Sequence, residues 1–465
     1  MIRAGLLALL LLPAIARAEP LPAANDAGEA PVDAGAPAPD AGGTEAAAND
    51  AGEAPVGAGA PVPDAGGTEA ALGAADATAA EAEADGGSTA RGLLPSVGGE
   101  VRGFFVGIFP YPSALLPPDP MAEGALDLRL KLGGHLGDHV KYSVQPVLES
   151  AFISHELGIL PGLGLSLTAG SPQAVDLTWK PVDAPRFQAA LRFDRLLVAA
   201  ELPHLTLTVG RQPISFGTTF FFQPEDLVAP FTPTTIDREY KPGVDALRAD
   251  VYLGVSGQLT AVVAYAGAWN PEGVIGMLRV GETFDVWDVG LFAARVRGDG
   301  VLGADTAGSL GAWAVRSEVT VTFRATGDSP FLRAVVGVDR QFDKVRLAGE
   351  AYLQTLGATH PDQYLPFALT PEVQSGELWS LGREYVALSA DDELSPIVHL
   401  AAFTVTNLAD PSFLAGADVA WSVADNADLE GGLYYGLGAR PVGLEAKSEF
   451  GLYPATAYLE MKSYF

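Results

Sequence analysis

From about residue 99 onward, apolar and polar side chains alternate. Leu126, Leu128, Leu130 and Leu132 are interleaved with Asp127, Arg129 and Lys131, and Val140, Tyr142, Val144 and Leu148 with Lys141, Ser143, Gln145 and Glu149. The same holds for Trp313, Val315, Val319, Val321 and Phe323 against Arg316, Glu318, Thr320, Thr322 and Arg324. Val345, Leu347, Ala351 and Leu353 alternate likewise with Arg346, Glu350, Tyr352 and Gln354. A period of two sends each apolar set to one face of a strand and each charged set to the other, and none of these segments carries a helical period. The pattern predicts about 16 strands (range 14–18) between 99 and 465. Connections expected at 110–123, 151–186, 216–242, 269–284, 357–382 and 438–454 are long. Those of opposite parity are mostly short, as at Leu202-Pro203-His204 and Asp425-Asn426-Ala427, with 298–308 the exception.

Long and short connections that segregate by parity distinguish a transmembrane antiparallel β-barrel from a soluble sandwich. Composition agrees. The chain has 54 Gly and no Cys, and a mean hydropathy of +0.20, yet no stretch reaches the roughly 18 apolar residues of a spanning helix. Without cysteine there is neither a disulfide nor a lipid-bearing residue. Residues 1–18 read as a signal peptide, with Arg3, an apolar run over Leu6–Leu12, and Ala16-Arg17-Ala18 as a small-x-small cleavage site.

Residues 19–92 contain Ala, Pro, Gly and acid, and Ala23–Ala46 recurs as Ala47–Ala70 with only Asp33 and Ala38 changed, to Gly57 and Val62. Such a segment buries too little to offset its ordering entropy and reads as a disordered acidic tail. Of the net charge of −29, residues 1–92 carry 3 basic and 14 acidic side chains and the rest 25 and 43. That acidity argues against nucleic acid as a partner. Residues 93–465 form the expected barrel.

The charged faces are mixed in sign. Arg129, Lys131, Arg248, Arg316 and Arg346 stand against Asp127, Glu149, Asp250, Glu318 and Glu350, as in ladders that line a wet interior. The final strand places Ala457, Leu459, Met461 and Phe465 on one face and Thr456, Tyr458, Glu460 and Lys462 on the other. A terminal aromatic on such a strand resembles the signal read by the barrel assembly machinery, which makes Phe465 the assembly residue and that machinery a partner in biogenesis.

The segment Gly210-Arg211-Gln212-Pro213-Ile214-Ser215-Phe216-Gly217 continues through Gln223-Pro224-Glu225-Asp226 to Asp237-Arg238-Glu239-Tyr240-Lys241-Pro242-Gly243-Val244-Asp245. It resembles a pattern in bacterial outer-membrane porin-like proteins. In these, Gly-Arg-Gln and Ser-aromatic-Gly precede a Pro-x-Asp loop and a Glu-x-Lys/Arg-Pro-Gly-x-Asp strand entry. The resemblance implies a barrel and a transport role. Being the third long connection, 216–242 is expected to fold inward, as the corresponding loop does in many general porins. Glu225, Asp226, Asp237, Arg238, Glu239 and Lys241 are then candidate constriction residues, with Arg211 and Arg248 on the adjoining strands.

No catalytic, phosphate-binding or zinc motif is present, so the chain does not read as an enzyme and implies neither cofactor nor metal. The Arg297-Gly298-Asp299 tripeptide is placed by this topology on the periplasmic side. The expectation is a passive channel for small hydrophilic solutes in the outer membrane, surrounded by lipid, its tail in the periplasm, with a homo-oligomer compatible. Its rivals are a structural or adhesive barrel with a plugged lumen and a substrate-specific uptake transporter.

Overall fold

The computed structural model describes residues 95–154, 172–228 and 241–465; the expected signal peptide, the 19–92 tail and Asp237, Arg238 and Glu239 lie outside them. The chain opens with β1 (Ser96–Phe109), β2 (Met121–Leu136), β3 (Val140–Ile153), β4 (Trp179–Ala184), β5 (Phe187–Leu202) and β6 (Leu205–Gln212). It continues through β7 (Val244–Leu253), β8 (Gly257–Tyr265), β9 (Val274–Phe284), β10 (Trp287–Val296), β11 (Asp299–Leu310) and β12 (Trp313–Phe323). The last seven are β13 (Phe331–Phe342), β14 (Val345–Gln354), β15 (Glu384–Ser395), β16 (Val398–Asn407), β17 (Ser412–Ala424), β18 (Ala427–Leu437) and β19 (Ala455–Tyr464). All nineteen pair antiparallel, but β4 pairs with β5 alone while β3 and β5 pair directly. β1 pairs with β19 from Glu100↔Tyr464 to Phe109↔Ala455, so the other eighteen strands close into a barrel. Closure pairs the first strand with the last and so removes the open edge a flat sheet would present to lipid.

The alternation sets the two faces. On β1, Val101, Phe105 and Phe109 are exposed outward while Glu100, Arg102, Val106 and Ile108 are buried inward. On β19, Leu459 and Met461 point out, Tyr458 and Glu460 in. The terminal residue finishes the seam: Phe465 and Gly99 exchange N–H···O bonds of 3.0 and 2.9 Å.

Eighteen spanning strands stand at the upper end of the expected range. The two additional ones, β9 and β11, fall where connections 269–284 and 298–308 were expected. Their alternation is masked because their inward faces are not polar near the loop end. Ile275, Met277 and Val301 face inward yet are apolar, packed in a buried cluster with Ile214 and Leu227 of the 213–243 connection. β11 is also rich in small residues, Gly300, Gly303, Ala304, Ala307 and Gly308. Inserting β9 reverses the direction of β10. Arg297-Gly298-Asp299 therefore lies at the end opposite the termini, a correction to the expected side, and Arg297 pairs with Glu377 at 2.9 Å.

β4 falls inside the expected connection 151–186. It pairs with β5 from Trp179↔Leu191 to Ala184↔Phe187, on the edge that β6 takes up only from Leu196 onward. It covers strand edge that β6 leaves open by ending at Gln212. Gly210, at φ +119°, lets β6 approach β5 closely near its end; a Cβ would lie 2.1 Å from the Leu196 carbonyl oxygen.

Candidate functional site

The inner wall of β1, β2, β3 and β5 carries a network of ionised groups. It centres on a β-bulge in β5, where Gln145↔Arg195 is followed by Pro146↔Phe193 and leaves Asp194 unpaired. A bulge lets two consecutive residues share one face, so Asp194 and Arg195 both point inward and both are buried. Asp194 accepts from Arg129 at 2.5 Å, Arg195 at 2.7 Å and Arg192 at 3.0 Å. Arg192 also grips Glu149. Glu100 meets Arg102 at 3.0 Å, Lys131 at 3.5 Å and Arg129 at 3.6 Å. Lys131 keeps 35% of its side chain open to the lumen, where Arg129 keeps 7%. Further around, Arg248 pairs with Asp250, Arg279 with Asp305, and Arg316 and Arg346 both with Asp339.

The connection after β6 enters this interior. Its local shape comes from a tight reversal: Gln223 Nε2 donates to the Thr219 carbonyl at 2.7 Å, and Gly217 passes so close to Gln223 that a Cβ would lie 2.8 Å away. The reversal leaves a run of backbone N–H groups pointing at the far wall. Glu318 of β12 accepts from the N–H groups of Thr218, Thr219 (3.0 Å) and Glu225 (3.1 Å). Glu350 of β14 accepts those of Phe220, Phe221 (3.0 Å) and Phe222 (3.2 Å). Two inward carboxylates thus replace the solvent that six loop amides lose, and charge-assisted bonds of this type are about twice as strong as neutral ones. Phe222 stacks between Tyr352 (4.3 Å) and Trp379 (5.1 Å). Phe220 carries the guanidinium groups of Arg316 and Arg346, each 4.7 Å from its ring centre.

The base of the loop is held as firmly. Asp226 and Lys241 form a buried ion pair across it, and the Lys241 carbonyl accepts Arg195 at 2.7 Å. Gly243 then passes against the bulge; a Cβ there would lie 1.9 Å from the Asp194 carbonyl oxygen. Burial, reinforced by the charges of Asp305 and Glu318, pushes the Glu225 carboxyl up to about 11, so Glu225 is neutral in place.

Two more connections, 355–383 and 438–454, pack over the same region. Glu377 ties the first to Arg297 and Arg333, and Glu372 ties it to Arg324 at 2.7 Å. From the second, the Glu449 carboxylate is buried and accepts from Leu381 N–H at 2.7 Å, Asn407 Nδ2 at 2.6 Å and the Tyr385 hydroxyl. Burial, with Asp410 nearby, raises Glu449 to about 7 against the lowering effect of those donors.

Of the residues expected to line a constriction, Glu225, Asp226 and Lys241 sit on the inward segment, and Arg316 and Arg346 on the wall beneath it. Arg129, Lys131 and Arg248 face the interior from other strands. Arg211 is buried, bonded to Asp245 and to the carbonyls of Phe193 and Val175, and so ties the 172–178 segment to the wall. Asp237, Arg238 and Glu239 fall outside the described residues. Sequence reading passed over Arg192, Asp194, Arg195, Arg279, Asp305 and Asp339. The run Arg192-Phe193-Asp194-Arg195 held the clue, since two adjacent charges break a period of two as a bulge does.

The barrel is similar to solved outer-membrane channels. OccK9 (OpdG) of Pseudomonas aeruginosa superposes with a TM-score of 0.50 at 12% identity, covering 80% of this chain and 98% of that one. For OccAB1 of Acinetobacter baumannii the values are 0.52 and 11%, over 81% and 98%. For a BenF-like porin from Pseudomonas fluorescens Pf-5 they are 0.51 and 10%, over 80% and 100%. At such identities the shared property is the fold, a closed antiparallel β-barrel. No protein-family model and no curated protein matches the sequence.

Proposed function

We propose that the protein is an outer-membrane channel through which small hydrophilic solutes diffuse passively, narrowed by the loop between β6 and β7. One observation carries this reading: residues 218–225 lie inside the barrel, hydrogen-bonded along their backbone to Glu318 and Glu350. The apolar outer face suits lipid. The inner wall offers paired but partly open cations, Lys131, Arg192, Arg279 and Arg346, which remain 19–35% exposed. A hydrated wall of alternating sign passes ions and polar solutes, and its narrowest point sets selectivity. The connections at the end that holds both described termini are all short, two or three residues each, and this end is taken as the periplasmic one.

A plugged, non-conducting barrel is the second reading, favoured by the aromatic packing of Phe222, Tyr352, Trp379, Tyr385 and Phe450 beneath the loops. Reconstitution in planar bilayers decides between them. Discrete channel steps are expected from the intact protein, and larger ones after removal of residues 218–226. A folded barrel that stays silent in both forms is plugged rather than conducting.

A further inference from the structure

The chemistry at Glu225 goes beyond narrowing. Its N–H is bonded to Glu318, and its side chain is wholly buried. Among the described residues no hydrogen-bond donor reaches either carboxyl oxygen. The groups facing it are Asp305 on β11 and Glu318 on β12, with Arg279 on β9 already committed to Asp305 at 2.8 Å. Glu350 on β14 is occupied by the amides of Phe220–Phe222. Within the loop, Lys241 is committed to Asp226. Two carboxylates and one pre-engaged cation cannot host a third negative charge in a site closed to water.

We propose that docking of the 218–226 segment onto β11 and β12 takes up one proton on Glu225, making the loop a proton-coupled latch. The proton is carried by Glu225 itself and returns to solvent when the segment lifts away. Glu318 and Glu350 each accept amide hydrogens on both carboxyl oxygens, so a proton on either would displace a bond that holds the segment docked.

The sign follows from linkage. Glu225 released into water ionises near its ordinary value of 4.5, while the docked group holds its proton up to about 11. Docking is therefore strongest below 4.5 and weakens with rising pH, the lifted fraction growing about tenfold per pH unit across that window. The latch rests on the inward placement of the loop and not on conduction, so its test does not use current.

Hydrogen exchange of the full-length barrel in detergent micelles reads it directly. Amides 218–225, corrected for intrinsic exchange, should give an opening constant that rises about tenfold per pH unit between about pH 5.5 and 8. Glu225→Gln, neutral and of the same shape, should give a flat profile; Glu225→Asp should keep the slope. Infrared difference spectra of wild type minus Glu225→Gln at pH 7 supply an independent reading, since a protonated carboxyl band should remain once the Glu449 contribution common to both cancels. A wild-type profile as flat as that of the glutamine variant, or no such band, overturns the latch. Loss of channel steps with the pH slope intact would instead count against the channel reading alone.

Discussion

The ring of Phe222 lies 4.3 Å from that of Tyr352, with the two planes 6° apart. One residue belongs to the connection after β6 and the other to β14, so this contact joins the inward segment to a wall 130 residues further along the chain. Aromatic pairs add about 0.5–1.5 kcal/mol beyond the area they bury. Phe222 makes a second such contact with Trp379, which locks two connections together.

Phe222→Ala should therefore loosen the segment without unfolding the barrel. The expected cost is about 3–5 kcal/mol, the usual range for emptying a buried aromatic site. Single-channel traces should become noisier, with brief excursions to higher conductance, while heat-modifiable migration on a gel stays normal. Unchanged traces would mean that the ring fills space without holding the loop.

Glu350 provides a sharper cut. Glu350→Ala leaves the amides of Phe220, Phe221 and Phe222 without an acceptor, at about 1–3 kcal/mol for each buried group. Glu350→Gln retains a carbonyl acceptor and should show a smaller effect. Protease sensitivity around residue 220 should rank alanine above glutamine above wild type.

Gly243→Ala tests the loop base. The new methyl group would meet the Asp194 carbonyl oxygen at 1.9 Å, and a backbone oxygen cannot step aside without moving the β5 bulge. Displaced, Asp194 would lose its fit to Arg129, Arg192 and Arg195. Loss of one partner from a buried ion network costs about 3–5 kcal/mol, so the yield of heat-modifiable barrel should fall steeply. Normal assembly would show that β7 can shift its entry.

Glu449 predicts a pH dependence for the long connections 355–383 and 438–454. Its value in place, about 7, exceeds the 4.5 of the free group. The folded loops thus hold the proton more tightly than open ones. Their stabilisation is complete below about 4.5 and declines as pH rises through about 7, by about 3 kcal/mol in all. Exchange protection of residues 379–382 should fall over that window, and Glu449→Gln should abolish the trend. The groups bearing on it are Tyr385 and Asp410, with Tyr364 bonded to Asp410 at 2.7 Å.

The strands with one charged and one apolar face were readable at once. Leu126, Leu128 and Leu130 against Asp127, Arg129 and Lys131 gave β2 its two faces, and the C-terminal alternation placed Phe465 at the closing seam. β9 and β11 were not readable, because Ile275, Met277 and Val301 look inward at a loop rather than at water. Their apolar character makes sense only once Ile214 and Leu227 are seen to cover them.

The same division runs through the site. The inward placement of residues 218–226 and the candidacy of Glu225, Asp226 and Lys241 were expected from their place in the third long connection, by likeness to general porins. Which charges stand open and which are committed could not be read that way. Arg211 and Arg316 read alike as arginines on strands, yet one anchors the 172–178 segment and the other lies over Phe220. Alternation is a local property of an extended backbone, so sequence determined the strand faces, the barrel and its closing strand. The pairing of Thr219 with Glu318, or of Arg129 with Asp194, joins residues 99 and 65 positions apart. Such partners are fixed only when the sheet closes and a bulge re-aims a side chain, and that the tertiary structure alone decided.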